Sequence, residues 1–187
     1  MIYAEGAGRV YVDILILAHL SKGAAHGYEI KKRVEQTTGG GMAINNNLLY
    51  PALKRFEEMG AVAREVKRTL GRPDRHVYRL TDRGDEVLHG LLREFPADLA
   101  RDEAEFITRV AFFDLLDPPA RLEILCVRET ALRRRLGHFA EVLPVERRAE
   151  HPGGARVVAF LTGQIEHELD WIAALAHEIE DEGEHRL

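Results

Sequence analysis

Residues 45–81 leave few choices of fold. They begin Asn45-Asn46-Asn47-Leu48-Leu49-Tyr50-Pro51-Ala52-Leu53-Lys54-Arg55-Phe56 and end in two β-prone runs around Gly71-Arg72-Pro73-Asp74. Leu49, Ala52, Leu53 and Phe56 recur at helical spacing and predict one buried face. Asn45 is placed to cap that helix, because its side chain can accept from an orphan backbone N–H. Gly60 stops it. Ala61–Arg68 and Arg75–Leu80 then alternate in the two-residue period of strands. The predicted unit is a short helix followed at once by a two-stranded ribbon. Asn47, Tyr50, Pro51, Lys54 and Glu58 fall on the side of the helix away from the buried face, with Arg55 on the flank. A helix of this kind fits a DNA major groove, and a basic ribbon beside it can grip the backbone or the minor groove.

Charge sharpens the reading. Residues 44–79 carry 8 Lys/Arg against 4 Asp/Glu, although the chain as a whole has a net charge of −5. Residues 1–95 carry 15 against 12, and residues 96–187 carry 11 against 19. A basic patch in an acidic chain points to a local polyanion site; charge alone fits a solvated mixed surface equally well. The most apolar short run, residues 14–18, is far too short to span a bilayer, so no membrane association is expected. The first fifteen residues lack a basic n-region. The lone Cys126 excludes an internal disulfide. Together these fit a cytoplasmic protein.

Before the capped helix, Val10–Leu20 is apolar on nearly all sides and predicts a buried helix. A second runs from His26 to about Thr38, with Ile30 and Val34 inward. Gly39-Gly40-Gly41 is a break; it has neither the preceding strand nor the following Gly-Lys-Ser/Thr of a nucleotide loop. Thr81-Asp82 starts a helix to about Glu94. Beyond Pro96 no strand is predicted. Glu103–Leu116 reads as a helix with Phe106, Ile107, Val110 and Phe113 inward. Asp117-Pro118-Pro119 begins another, whose Leu122, Leu125, Glu129, Leu132, Leu136, Phe139 and Leu143 follow in steps of 3 and 4 as a coiled-coil-like seam. Residues 144–154 read as a loop. A last long helix carries Leu161, Ile165, Leu169, Ile172, Ala176 and Ile179, widened by Trp171 and Leu175.

The order helix, helix, helix, wing, helix resembles a winged helix-turn-helix. His26-Gly27-Tyr28-Glu29-Ile30, Leu49-Tyr50-Pro51-Ala52-Leu53-Lys54-Arg55, Gly60, and Gly71-Arg72 through Tyr78-Arg79-Leu80-Thr81 resemble, in order and spacing, the PadR family of transcriptional regulators across residues 10–93. Residues 96–187 resemble the helical C-terminal half of its longer members by length and helical character. The resemblance implies a homodimer, a wing that touches DNA, and often a repressor role. One departure stands out. The family usually has small or hydroxyl residues before Leu-Tyr-Pro, whereas this chain has Asn45, Asn46, Asn47 and Leu48. Asparagine can pair bidentately with adenine, so operator preference does not carry over from relatives.

Each candidate residue has a plainer role beside the functional one. Lys54 and Arg55 read bases or hold phosphates, or else form a solvated face. Tyr50 donates to a phosphate or covers a helix junction. Tyr28 is expected in the core. Arg68, Arg72 and Arg75 flank the wing tip, where arginine meets phosphate or a narrow minor groove, or serves solubility. His167-Glu168 lacks the second histidine of a zinc-hydrolase motif, because Trp171 stands there. His177, Asp181 and His185 are expected to be solvated, so no metal and no cofactor is expected. Cys126 is expected to be buried and inert, and the Arg133-Arg134-Arg135 run solvated. Trp171 either lines an effector pocket or packs in a dimer.

The expectation is therefore a mainly α protein: a winged helix-turn-helix DNA-binding domain in residues 1–95 and a helical dimerisation and effector domain in residues 96–187. It would be a homodimeric, sequence-specific regulator of transcription, a repressor rather than an activator and not an enzyme. It would bind a pseudo-palindromic double-stranded operator through Asn45, Asn46, Asn47, Tyr50, Lys54, Arg55, Arg68, Arg72 and Arg75. Leu161, Ile165, Leu169, Trp171, Ile172, Leu175 and Ile179 would form the dimer interface, and a small-molecule effector would act by changing the dimer angle. The alternative is a winged-helix protein–protein module binding an acidic partner.

Overall fold

The computed structural model of the protein describes residues 10–37, 44–67, 75–148 and 152–184. The chain forms two compact units. One comprises residues up to Glu94 together with Ile107–Leu115; the other comprises Phe95–Phe106 and the chain from Leu116 onward.

In the first unit, helix α1 (Val10–Ser21) is the hub. Every residue from Tyr11 to Leu20 is buried, as an all-round apolar sequence requires. Strand β1 (Ala25–His26), helix α2 (Gly27–Thr37) and helix α3 (Asn46–Glu58) follow. Ile30 and Val34 of α2, and Leu49, Ala52, Leu53 and Phe56 of α3, are buried. Strands β2 (Val62–Lys67) and β3 (Arg75–Leu80) form the antiparallel ribbon, in register from Val62 opposite Leu80 to Lys67 opposite Arg75. β1 adds a third strand to the other edge of β3, so the order is β1-β3-β2. Two residues are too few to show an alternating pattern, so nothing in the residue order marks this strand.

Helix α4 (Asp82–Arg93) is held by its cap. Thr81 Oγ1 accepts from Gly84 N–H at 3.1 Å and donates to the Gly60 carbonyl at 2.7 Å. Gly60 has φ 71°, the left-handed region that favours glycine. Gly84 is needed for a different reason: a Cβ there would collide with the Ala61 carbonyl oxygen, so α4 can rest on the root of the ribbon only without a side chain. Buried Arg109 donates from Nη2 to the Leu91 and Glu94 carbonyls, at 3.1 and 2.9 Å, satisfying the exposed acceptors at the end of α4.

His19 gives this unit a pH dependence. It is buried with its ring edge-on to Phe112 at 6.1 Å, and burial, then Lys22, then Arg33 lower its pKa from 6.5 to about 4. Between those two values the unfolded chain binds a proton that the folded chain does not. Stability from this group is therefore complete above pH 6.5 and falls as the pH drops towards 4. The expected slope is about 1.4 kcal/mol per pH unit inside that window. Urea unfolding of the wild type and of His19→Gln between pH 7 and 4.5 should show that difference in slope.

The expected helix 103–116 is shorter. α5 (Glu103–Val110) ends early, and a single 3-10 turn spans Phe113–Leu115. Phe112, Phe113 and Leu116 are all buried, and the tighter bonds from Phe112 N–H to the Arg109 carbonyl and from Leu115 N–H to the Phe112 carbonyl re-aim the chain to bury them. The inward face also rotates: Glu105, Phe106, Thr108 and Arg109 are buried, while Ile107 is exposed.

In the second unit, a 3-10 turn at Leu99–Arg101 precedes α6 (Pro118–Arg148) and α7 (Pro152–Glu184), and the two long helices pack together. Asp117 Oδ1 caps α6 by accepting from Ala120 N–H at 3.0 Å. The loop expected at 144–154 is mostly helix. α6 runs through Pro144, which costs it one hydrogen bond, and α7 starts at Pro152, where the missing N–H would have had no helical partner. Leu125 and Leu132 of the seam are buried, while Leu122, Glu129, Leu136 and Phe139 are half-buried. Val158, Ile165, Ile172 and Ile179 are buried at heptad intervals within this one chain. Among the described residues, no helix is long and apolar enough to cross a membrane.

Candidate nucleic-acid interface

The exposed side of α3 is held in place by its buried side. Asn45 is extended, with φ −81° and ψ 165°, and its Oδ1 accepts from Leu48 N–H at 3.0 Å, which fixes where the helix starts. Asn45, Asn46, Asn47, Tyr50 and Lys54 are all exposed. Asn46 Oδ1 accepts from Lys31 Nζ at 3.3 Å, which links α2 to α3. Lys54 is 76% exposed, and its ammonium lies 3.8 Å from Glu58, a surface pair that leaves it available. Asn47 and Lys54 thus project from a helix whose other face is fully packed.

Arg55 has different company. Its Nη2 lies 2.5 Å from Oδ1 of buried Asp13 on α1, and its guanidinium covers the Phe56 ring at 5.1 Å. Its charge neutralises a carboxylate inside the unit, and it fastens α3 to α1. Arg64 of β2 pairs with Glu57 at 3.1 Å, tying the ribbon to the end of the same helix. Arg68 and Arg72 lie outside the described residues, as does the glycine run 39–41. Arg75 begins β3.

An open concavity of about 480 Å³ adjoins this face, lined by His26, Tyr28, Glu29, Tyr50, His76 and Tyr78. Glu29 Oε2 accepts from His26 N–H at 2.7 Å, closing the start of α2, and His26 Nδ1 lies 2.8 Å from the His76 carbonyl, joining that start to the ribbon. Gly27 suits this packing. A Cβ at 27 would lie 3.2 Å from the Tyr50 ring, so any side chain there would make Tyr50 give by a few tenths of an ångström where it lies across the beginning of α2. Tyr28 is not core: it is 73% exposed. The reason is its place in the first turn of α2, away from the side carrying Ile30 and Val34. Burial raises the Tyr78 phenol above its ordinary value, with Arg64 opposing, so it stays a neutral hydrogen-bond donor. Phenols, imidazoles and a helix N-terminus together suit phosphate oxygens. Tyr28, His26 and His76 were missed as candidates because a motif shows residue type and not exposure.

The other expectations fall as follows. His177 Nε2 lies 3.8 Å from Asp181, both exposed, and no metal-binding group is found among the described residues. Arg133 pairs with Glu129, and Arg135 covers Phe139 at 5.4 Å, so the arginine run lies at the surface. Cys126 is exposed, against the expectation of burial, because it sits beside the seam and not in it. Of the expected dimer residues, Ile165, Ile172 and Ile179 are already buried in the single chain. Leu161, Leu169 and Leu175 are half-buried, and Trp171 is 39% exposed with its ring edge against Phe106 at 6.1 Å. Val157 and Phe160 of the same helix are exposed.

Residues 16–90 match the transcriptional regulator PadR-like family. No curated protein matches the chain. Among solved structures, a padr family transcriptional regulator from Eggerthella lenta is 34% identical over 43% of this chain and 67% of its own, with a TM-score of 0.37. A transcriptional regulator from Clostridium thermocellum is 32% identical over 44% and 79%, with a TM-score of 0.41. Bacillus subtilis PadR, solved in complex with operator DNA, is 17% identical over 92% and 99%, with a TM-score of 0.45.

Proposed function

We propose that this chain, which belongs to the PadR-like family of transcriptional regulators, is a homodimeric, sequence-specific DNA-binding repressor of the cytoplasm. The observation that carries the reading is the face of α3. Asn47, Tyr50 and Lys54 are exposed there while Leu49, Ala52, Leu53 and Phe56 are buried opposite, beside a basic ribbon. In a dimer two such faces enter successive major grooves, and Asn47 and Lys54 meet base edges. Asn45 fixes the helix start, and Asn46 lies beside the phosphates with Lys31. Tyr50, with Tyr28 and His76, hydrogen-bonds phosphate oxygens, while Arg68, Arg72 and Arg75 hold the backbone from the wing. Arg55 acts from inside, by fastening α3.

Residues 96–187 supply the second copy's contacts and the response to a small-molecule effector. Because α6 already covers the isoleucines of α7, the second copy meets the outer side, where Val157, Phe160 and Trp171 are exposed with Leu161, Leu169 and Leu175 half-buried beside them. Selection of bound duplexes from a random pool is the test. A two-fold site should be enriched, with half-sites about 10 base pairs apart or a multiple of that. A pool that stays random after repeated rounds would refute sequence-specific binding.

A further inference from the structure

A groove of about 630 Å³ lies in the second unit, between the 3-10 turn at Leu99–Arg101 and the middle of α6. Its size falls in the range of small-molecule sites. Its floor is apolar, built from Ala100, Val127, Ala131 and Leu132. Its rim is basic: Arg101, Arg134, Arg135 and His138 all line it and are all exposed.

Two features make this groove unusual for its surroundings. Residues 96–187 carry 19 Asp/Glu against 11 Lys/Arg, yet no carboxylate among the described residues lines the groove. Its cations are also uneven. Arg128 at the base is spent on Glu168, with Nε to Oε1 at 2.7 Å and Nη2 to Oε2 at 3.0 Å. The side chains of Arg101 and Arg134, by contrast, make no ion pair or hydrogen bond among the described residues.

An apolar floor selects a ligand with an apolar body, because burying that body drives binding in proportion to area. Unspent guanidinium groups at the edge select an anionic head, which they bind by charge-assisted, often paired, hydrogen bonds. The arginine stems extend the apolar wall towards the head. A cation of the same shape would be repelled, and a neutral one would leave the guanidinium groups unused. We propose that this groove binds an amphipathic carboxylate, with its hydrocarbon on the Ala100–Ala131 floor and its carboxylate between Arg101 and Arg134. As the seat of an effector the groove rests on the regulator reading above; as a ligand site it does not, and its test contains no DNA.

The chain supplies its own reporter. Cys126 is the only cysteine, is exposed, and lines the groove. The experiment is alkylation of the full chain by iodoacetamide, followed by intact mass, with decanoate, decanol or decyltrimethylammonium present below its micellar concentration. Near-saturating decanoate should slow alkylation about tenfold by simple occupancy, and the cation should not slow it. Arg101→Met/Arg134→Met, which keeps the apolar stems at two exposed positions, should remain folded and weaken decanoate about tenfold or more. Protection by the cation or the alcohol equal to that by decanoate would overturn the proposal. So would decanoate binding, seen by calorimetry, that leaves the Cys126 rate unchanged, and so would an undiminished affinity in the folded double variant.

Discussion

Phe56→Ala is expected to cost the first unit about 3–5 kcal/mol, through lost burial and the cavity left behind. Phe56 is 1% exposed, lies under the Arg55 guanidinium, and forms the last inward step of α3. Domains are stable by only about 5–15 kcal/mol, so a large part of the margin would go. Denaturant unfolding measures it directly. Any loss of DNA binding in this variant should track the unfolded fraction and vanish once protein is held in the folded state by low temperature. A cost below about 1 kcal/mol, the size of an ordinary surface change, would mean that α3 is not anchored as described.

The second large effect is expected at Arg128. This side chain is 4% exposed, donates two bonds to Glu168 and a third from Nη1 to the Ala100 carbonyl at 2.7 Å, and covers the Phe106 ring at 5.2 Å. Arg128→Ala removes one half of a mostly buried pair, for which the expected loss is about 3–5 kcal/mol. Replacing both partners, as in Arg128→Met/Glu168→Leu, should recover much of that loss, because the penalty comes from the stranded charge and not from a missing attraction. Thermal melting of the single and double variants separates the two cases. A double variant no more stable than Arg128→Ala would show that the pair itself, and not the stranded carboxylate, carries the energy.

The sequence was most legible where periodicity and capping chemistry coincide. Asn45 and Thr81 cap the helices expected of them, and Leu49, Ala52, Leu53 and Phe56 are inward as their spacing requires. These signals are local, and local sequence contains them. What was not legible depends on a distant partner. Arg55 and Lys54 are neighbours with the same charge, yet only Arg55 meets Asp13, 42 positions away. Tyr28 has the composition of a core residue and the position of an exposed one. The end of α5 is not legible because two adjacent buried phenylalanines override a helical pattern that continues past them. The apolar stripe of α7 is wide, but spacing cannot tell which part of a stripe faces its own chain. Ile165, Ile172 and Ile179 face α6 here.

The central claim is that the exposed face of α3 reads DNA bases. It is tested most directly by the binding-site preferences of Asn47→Ala and Lys54→Ala, measured alongside their melting. Both side chains are exposed, so stability should stay within about 0.5 kcal/mol of wild type. Each variant should lose about 1–3 kcal/mol of discrimination at one position of each half-site, with the other positions read as before. Folded variants that both keep wild-type affinity and wild-type preference would contradict the claim.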